Sequence, residues 1–88
     1  STIADGIAVK VPGRLTFATC QQYVDGIITV SEDEICAAIL QLIEAEKMIA
    51  EGAGATTVAA AMFNKVPLKG KKVVCVVSGG NIGVTILN

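Results

Sequence analysis

Lys72-Val73-Val74-Cys75-Val76-Val77-Ser78-Gly79-Gly80-Asn81 is the stretch on which the fold reading turns. Five apolar residues, four of them β-branched, stop abruptly at Ser-Gly-Gly-Asn. The apolar part predicts a strand buried on both faces, as in parallel sheets. Ser78 then falls just past the carboxyl end of that strand, where ligands bind in open α/β sheets. Gly79 and Gly80 let the backbone approach a ligand with no Cβ in the way. The run therefore predicts a hydroxyl presented at a pocket, on a turn with room beside it.

Moving upstream, Pro67 and Gly70 make a turn into the run. Residues 55–63 are nearly all small and apolar, which predicts a helix buried all round. Glu51-Gly52-Ala53-Gly54-Ala55 separates it from a longer helix over residues 32–49. The start of that longer helix is the clearest local signal in the chain. Ser31-Glu32-Asp33-Glu34 is a capping box, and Val30 and Ile35 can form the hydrophobic staple. The three acids also suit the positive end of the helix dipole. Ile35, Ile39, Leu42, Ile43 and Ile49 share one helical face. Before the box, Ile27-Ile28-Thr29-Val30 reads as a short β-branched strand. Residues 15–24 predict a short helix, and residues 1–14 an irregular segment with turns at Asp5-Gly6 and Pro12-Gly13. Residues 82–87 could begin a further helix. The order strand, helix, helix, strand predicts an α/β fold, part of a mostly parallel sheet flanked by helices.

The chain has 88 residues, of which 52% are hydrophobic, above the usual share for a soluble domain. The excess is Ala, Val and Ile rather than aromatic residues, which suits a buried layer better than an exposed module. Ser1-Thr2-Ile3-Ala4 offers no helix cap, and residues 82–88 stop in mid-apolar sequence. Both ends therefore predict a segment of a larger domain. The net charge of −1 offers no broad electrostatic reason for nucleic-acid binding. Lys69, Lys71 and Lys72 read as a solvated turn. Cys20, Cys36 and Cys75 show no C-x-x-C spacing, which predicts reduced thiols in a cytoplasmic protein. The absence of His excludes Cys/His metal sites and any Ser–His nucleophile pair within this chain. No apolar stretch reaches the ~18 uncharged residues of a membrane helix.

Three features invite a functional reading. Gly52-Ala53-Gly54 is not a dinucleotide loop, because the third glycine position is Thr57 and a helix, not a strand, precedes it. It reads as a close-packed turn between helices. Glu51 stands between Ile49-Ala50 and that turn, either exposed there or aimed at a site. Ser78 is the best site candidate, its bland alternative being a cap for the segment after it. No general base accompanies it.

Thr2-Ile3-Ala4-Asp5-Gly6, Lys10-Val11-Pro12-Gly13, Val30-Ser31-Glu32-Asp33-Glu34-Ile35, Glu51-Gly52-Ala53-Gly54-Ala55 and Ser78-Gly79-Gly80-Asn81 form an ordered set. In that order and at those spacings they resemble the threonine ammonia-lyases, or threonine dehydratases, over essentially the whole chain. These are fold-type-II pyridoxal-phosphate enzymes, related to serine racemase and serine dehydratase. The Lys-x-Pro-Gly element looks more like the ammonia-lyases than serine racemase.

The resemblance implies pyridoxal 5'-phosphate as cofactor and β-elimination as the reaction. Threonine would lose its α-proton and β-hydroxyl and yield 2-oxobutanoate and ammonia; serine would yield pyruvate. Such chemistry serves isoleucine biosynthesis or threonine catabolism. Ser78 matches the family serine that hydrogen-bonds the pyridine nitrogen. A neutral hydroxyl there donates to an unprotonated nitrogen, a weaker electron sink than one held protonated by a carboxylate. Such a sink favours expelling the β-substituent. Gly79 and Gly80 would leave the ring room, Asn81 would tie the turn together, and Glu51 matches a carboxylate near the ring. Gly6 matches a loop on the substrate side.

The cofactor-anchoring Lys, the phosphate loop and the cation site of the family lie in an upstream part of its sequences. The implied partners are the rest of the catalytic domain, a small amino-acid substrate and further copies in a dimer or tetramer. The segment alone is expected to be inactive. Ile82-Gly83 departs from the commoner Ile-Asp of the family. The alternative reading is a non-catalytic small α/β binding or scaffold module.

Overall fold

The computed structural model describes residues 2–79. Gly80, Asn81 and the helix expected over residues 82–87 lie outside the described residues.

Among the described residues, three α-helices organise the fold: α1 (Arg14–Tyr23), α2 (Glu32–Glu46) and α3 (Thr56–Met62). Short 3₁₀ turns at Asp5–Ile7 and Ala53–Ala55 complete the regular structure. The capping box forms as the sequence predicts. The Glu34 amide donates to Ser31 Oγ at 3.1 Å, and the Ser31 amide donates to Glu34 Oε1 at 2.7 Å. Val30 packs against the core cluster that holds Ile35, as a staple should.

At its far end α2 stops short of the predicted Ile49. Lys47 adopts φ 55°, and the Lys47 and Met48 amides donate back to Ile43 and Leu42 carbonyls at 3.1 Å. A left-handed residue ends a helix at once. Ile49 is accordingly turned outward, 53% exposed, while Ala50 becomes fully buried.

α3 closes in a Schellman motif. Asn64 takes φ 52°, Lys65 N donates to the Ala60 carbonyl at 3.0 Å, and Asn64 N donates to that of Ala61 at 3.3 Å. Asn tolerates this conformation better than other non-glycine residues. Its neighbour Lys65 then reaches back to α2, with Nζ 2.8 Å from Glu34 Oε2. The predicted turn at Gly70 also forms, with φ 77° at Gly70 and a 3.0 Å bond from Lys71 N to the Leu68 carbonyl. This is a turn of type II, which needs glycine at its third position.

The core lies between α2, α3 and the segment around Ala4. It holds Ile35, Ile39 and Leu42 with Ala4, Ala38, Ala50, Ala55 and Ala59. Each of the three large residues contributes about 1.5–3 kcal/mol on burial. The alanines contribute little area but let backbone segments approach closely. α3 is not buried all round. Only Ala59 is fully enclosed, and Met62 is 38% exposed, because α3 faces α2 on one side alone.

The expected parallel sheet is absent among the described residues. Neither residues 27–30 nor residues 72–77 form a strand. A strand exists by virtue of its backbone ladder, whatever its composition, and neither run pairs with the other or with another described segment. The second run is instead fastened to α3. Thr57 Oγ1 donates to the Val76 carbonyl at 2.9 Å, and Cys75 Sγ lies 3.7 Å from the Thr57 carbonyl. Only Val77 reaches the core, while Val74 is 90% exposed. The observed architecture is therefore helical, with irregular connections.

The molecule is a plate, 38 × 35 × 18 Å. Its accessible surface is 6861 Å², against roughly 4,900 Å² for a compact folded monomer of this mass. Much of the excess is apolar: α1 buries none of its residues, and Leu15, Tyr23 and Ile27 stand largely exposed.

Candidate functional site

The site is built around Glu51. Once Lys47 reverses the chain and Ala50 enters the core, Glu51 is left half-buried at the start of the glycine-rich turn. Its carbonyl accepts the Ala55 amide at 3.0 Å, which holds the turn closed.

The glycines on either side are positions of close approach. A Cβ on Gly52 would lie 2.7 Å from the Ile3 carbonyl carbon and 3.1 Å from Ala4 N. A Cβ on Gly54 would lie 2.9 Å from the Ser78 carbonyl carbon and 3.2 Å from Ser78 N. The turn is thus wedged between two other backbone segments, one leading to Gly6 and the other containing Ser78. Only glycine permits such contacts without displacing backbone. The close packing expected at this turn is present.

The Glu51 side chain lies in the gap these contacts create. A Cβ on Gly79 would meet it 2.7 Å from Cδ and 3.2 Å from Cγ. A Cβ on Gly6 would stand 3.6 Å from Glu51 Oε1 and 3.3 Å from Ala53 Cβ. Gly79 has φ 76°, which favours glycine independently of the contact. Ser78 is exposed beside it. Gly6, Glu51, Ser78 and Gly79, scattered over the sequence, therefore meet in one place; Gly80 lies outside the described residues.

Two acids that the sequence marks only as helix-terminal charges carry further contacts. Glu32 accepts the Thr2 hydroxyl and, at 2.8 Å through Oε2, the Ile3 amide. These bonds hold its carboxyl below the usual range, the Thr2 hydroxyl first and the Ile3 amide second. Glu34 is likewise lowered, by Lys65 first and the Ser31 amide second. Nothing in the local sequence announces either pairing, because each partner is about thirty residues away in the chain.

A separate apolar groove of about 290 Å³ lies between α3 and residues 28–30 and 73–75. None of its lining residues belongs to the Glu51 cluster, and its one titratable group is the Cys75 thiol. Among the described residues, no helix is long and apolar enough to cross a membrane.

A half-buried carboxylate and an exposed hydroxyl thus stand beside two glycines, Gly6 and Gly79, whose missing Cβ atoms let their segments close on Glu51. Residues 1–79 match the family model of pyridoxal-phosphate dependent enzymes, and the chain belongs to that family. It is 56% identical over 87 residues to an L-threonine ammonia-lyase of Thermotoga maritima, covering 99% of this chain and 21% of the relative. It is 49% identical over 88 residues to a catabolic L-threonine dehydratase of Staphylococcus aureus, covering 97% of this chain and 25% of the relative. The crystal structure of serine racemase from Dictyostelium discoideum superposes with a TM-score of 0.86 at 42% identity, covering 96% of this chain and 28% of that one. The chain spans only about a fifth to a quarter of the length of these two relatives.

Proposed function

We propose that these residues form the carboxyl-terminal part of the catalytic domain of a threonine ammonia-lyase, the wall of the cofactor site that faces the pyridine ring. The full enzyme converts L-threonine to 2-oxobutanoate and ammonia, and L-serine to pyruvate and ammonia. The observation that carries this reading is the convergence of Gly6, Glu51, Ser78 and Gly79 at one point. Pyridoxal phosphate, when bound, supplies the electron sink that lets the α-proton and then the β-hydroxyl leave.

This chain's own residues orient and tune. The Ser78 hydroxyl would donate a hydrogen bond to the ring nitrogen and, being neutral, would not hold that nitrogen protonated. Gly79 would leave Glu51 its place beside the ring. Glu51 would stand near the ring, and Gly6 would line the substrate side. The lysine that anchors the cofactor belongs to the rest of the catalytic domain, so the 88 residues alone release no keto acid.

The partner of this segment is accordingly that remaining part of the domain, which would cover the roughly 2,000 Å² of accessible surface above the compact-monomer expectation. Such an excess fits a self-contained binding module poorly. The full enzyme acts as a dimer or tetramer in the cytoplasm, where Cys20, Cys36 and Cys75 stay reduced.

The test is Ser78→Ala in the full-length polypeptide. Wild type should release keto acid from threonine and from serine. The variant should bind pyridoxal phosphate more weakly, followed by the cofactor's absorbance, and turn over more slowly. A wild-type protein that neither binds the cofactor nor consumes threonine would overturn the assignment. Unchanged affinity and rate in the variant would remove Ser78 from the site.

A further inference from the structure

Glu32 sits at the first position of α2, yet the cap of that helix does not need it. Ser31 and Glu34 cap each other's amides without it. The Glu32 carboxylate is committed elsewhere: one oxygen accepts the Thr2 hydroxyl, and the other accepts the Ile3 amide at 2.8 Å. Thr2 Oγ1 in turn accepts the Ala4 amide at 3.1 Å. Three consecutive residues of the amino-terminal segment are thus tied, directly or through Thr2, to one side chain.

Those residues lead straight into the site. The Ile3 carbonyl stands where a Cβ on Gly52, the residue after Glu51, would project. Ala4 is buried in the core at 4% exposure. Its carbonyl accepts the Ile7 amide at 3.1 Å, and that of Asp5 accepts the Ala8 amide at 3.1 Å, which closes the 3₁₀ turn. The turn sets the Gly6 α-carbon against Ala53 and Glu51. The short path from Ile3 to Gly6 runs through backbone only, so a slip at Thr2–Ile3 is carried forward to Gly6.

We infer that Glu32 is a positioning residue, whose bonds to Thr2 and Ile3 set the register of the Ala4–Gly6 loop against Glu51. This inference rests on the proposed lyase reading for its kinetic consequence, but not for its structural one.

The test uses the full-length polypeptide with Glu32→Gln, Thr2→Val and Thr2→Ser. Glu32→Gln leaves the capping box intact and weakens the acceptor that holds Thr2 and the Ile3 amide. It should raise KM for threonine roughly tenfold, up to the ~100-fold that a misplacement of about 1 Å can cost. Turnover should change less than about twofold and the thermal midpoint should hardly move. Thr2→Val should do the same, Thr2→Ser should restore the wild-type KM, and the double variant Glu32→Gln with Thr2→Val should be no worse than either single one. A readout independent of activity is amide exchange: the peptide holding Ile7 and Ala8 should lose protection in Glu32→Gln while the α2 peptides keep theirs.

Unchanged KM and unchanged exchange would overturn the inference. So would a uniform loss of turnover, affinity and thermal midpoint, which would mark Glu32 as a general stabiliser. If Glu32→Gln lowers protection at Ile7 and Ala8 in a polypeptide whose wild type has no lyase activity, the positioning role stands and the proposed function falls.

Discussion

The Glu51 side chain occupies the space that a Cβ on Gly79 would need. Glu51 Cδ lies 2.7 Å from that position, although the two residues belong to different segments, joined through α3. The contact links the glycine turn after α2 to the end of the valine-rich run. It makes Gly79 sensitive to enlargement on two counts, the contact with Glu51 and its own φ of 76°.

Gly79→Ala should therefore weaken cofactor binding in the full-length polypeptide. The added methyl group displaces the carboxylate, and φ 76° costs a non-glycine residue about 1–2 kcal/mol. The strain lowers the folded/unfolded ratio about 5- to 30-fold, and the displaced carboxylate lowers affinity, measured by titrating pyridoxal phosphate against its absorbance. Far-ultraviolet circular dichroism should stay near wild type. Unchanged affinity would separate Gly79 from the ring.

Gly54→Ala should damage stability more than binding chemistry. Its Cβ would press on the Ser78 backbone, which cannot rotate away as a side chain can. A loss of about 1–3 kcal/mol or more is expected, as for overpacking in a tight core. Gly26→Ala is the control. Nothing lies within 4 Å of its Cβ position, so the change should be neutral or stabilise by up to about 1 kcal/mol. Urea midpoints of the two variants should separate cleanly.

Ser31→Ala should cost about 1 kcal/mol, the usual value of a helix N-cap, and Ser31→Gly only a few tenths. Both changes lose the 3.1 Å bond from the Glu34 amide. Equal losses from Ala and Gly would contradict the usual ranking of N-cap residues at Ser31. The comparison is made by chemical denaturation.

Acid should weaken the structure through Glu32 and Glu34. Both carboxyls lie below the ordinary value of 4.5, Glu32 held there chiefly by Thr2 and Ile3 and Glu34 by Lys65 and Ser31. A lowered folded-state value means that the unfolded chain takes up protons first as pH falls. The contribution is therefore fully present above 4.5 and is lost as pH drops below 4.5 and through the lowered values. Lys65→Met should shrink the part that belongs to Glu34 and leave that of Glu32. Denaturation midpoints followed between about pH 6 and 3 would read both.

The local elements were legible where one short stretch carried all the information. Ser31 to Glu34 spells out its own cap, and the observed bonds are those that the residue types dictate. Gly70 and the 3₁₀ turn at Asp5–Ile7 fall where the turn signals lie. The end of α2 did not, because Lys47 takes a left-handed conformation that no residue type there announces. The strands over residues 27–30 and 72–77 failed for a different reason. Their β-branched composition is real, but a ladder needs a second backbone, and among the described residues neither run pairs with one.

The site followed the same division. Sequence alone determined the chemical kinds: a hydroxyl at Ser78, a carboxylate at Glu51, and glycines at 52, 54 and 79 where backbone could come close, while Gly6 entered through the family resemblance. It also determined α2, whose cap and apolar face are written within a single run of residues. Only the tertiary structure decided that these groups meet. The meeting depends on Gly52 admitting Ile3 and Gly54 admitting Ser78 at backbone contact. It also depends on Glu32 holding the amino-terminal segment from about thirty residues away. Such contacts join residues distant in the chain, and their energies belong to pairs that local composition does not encode.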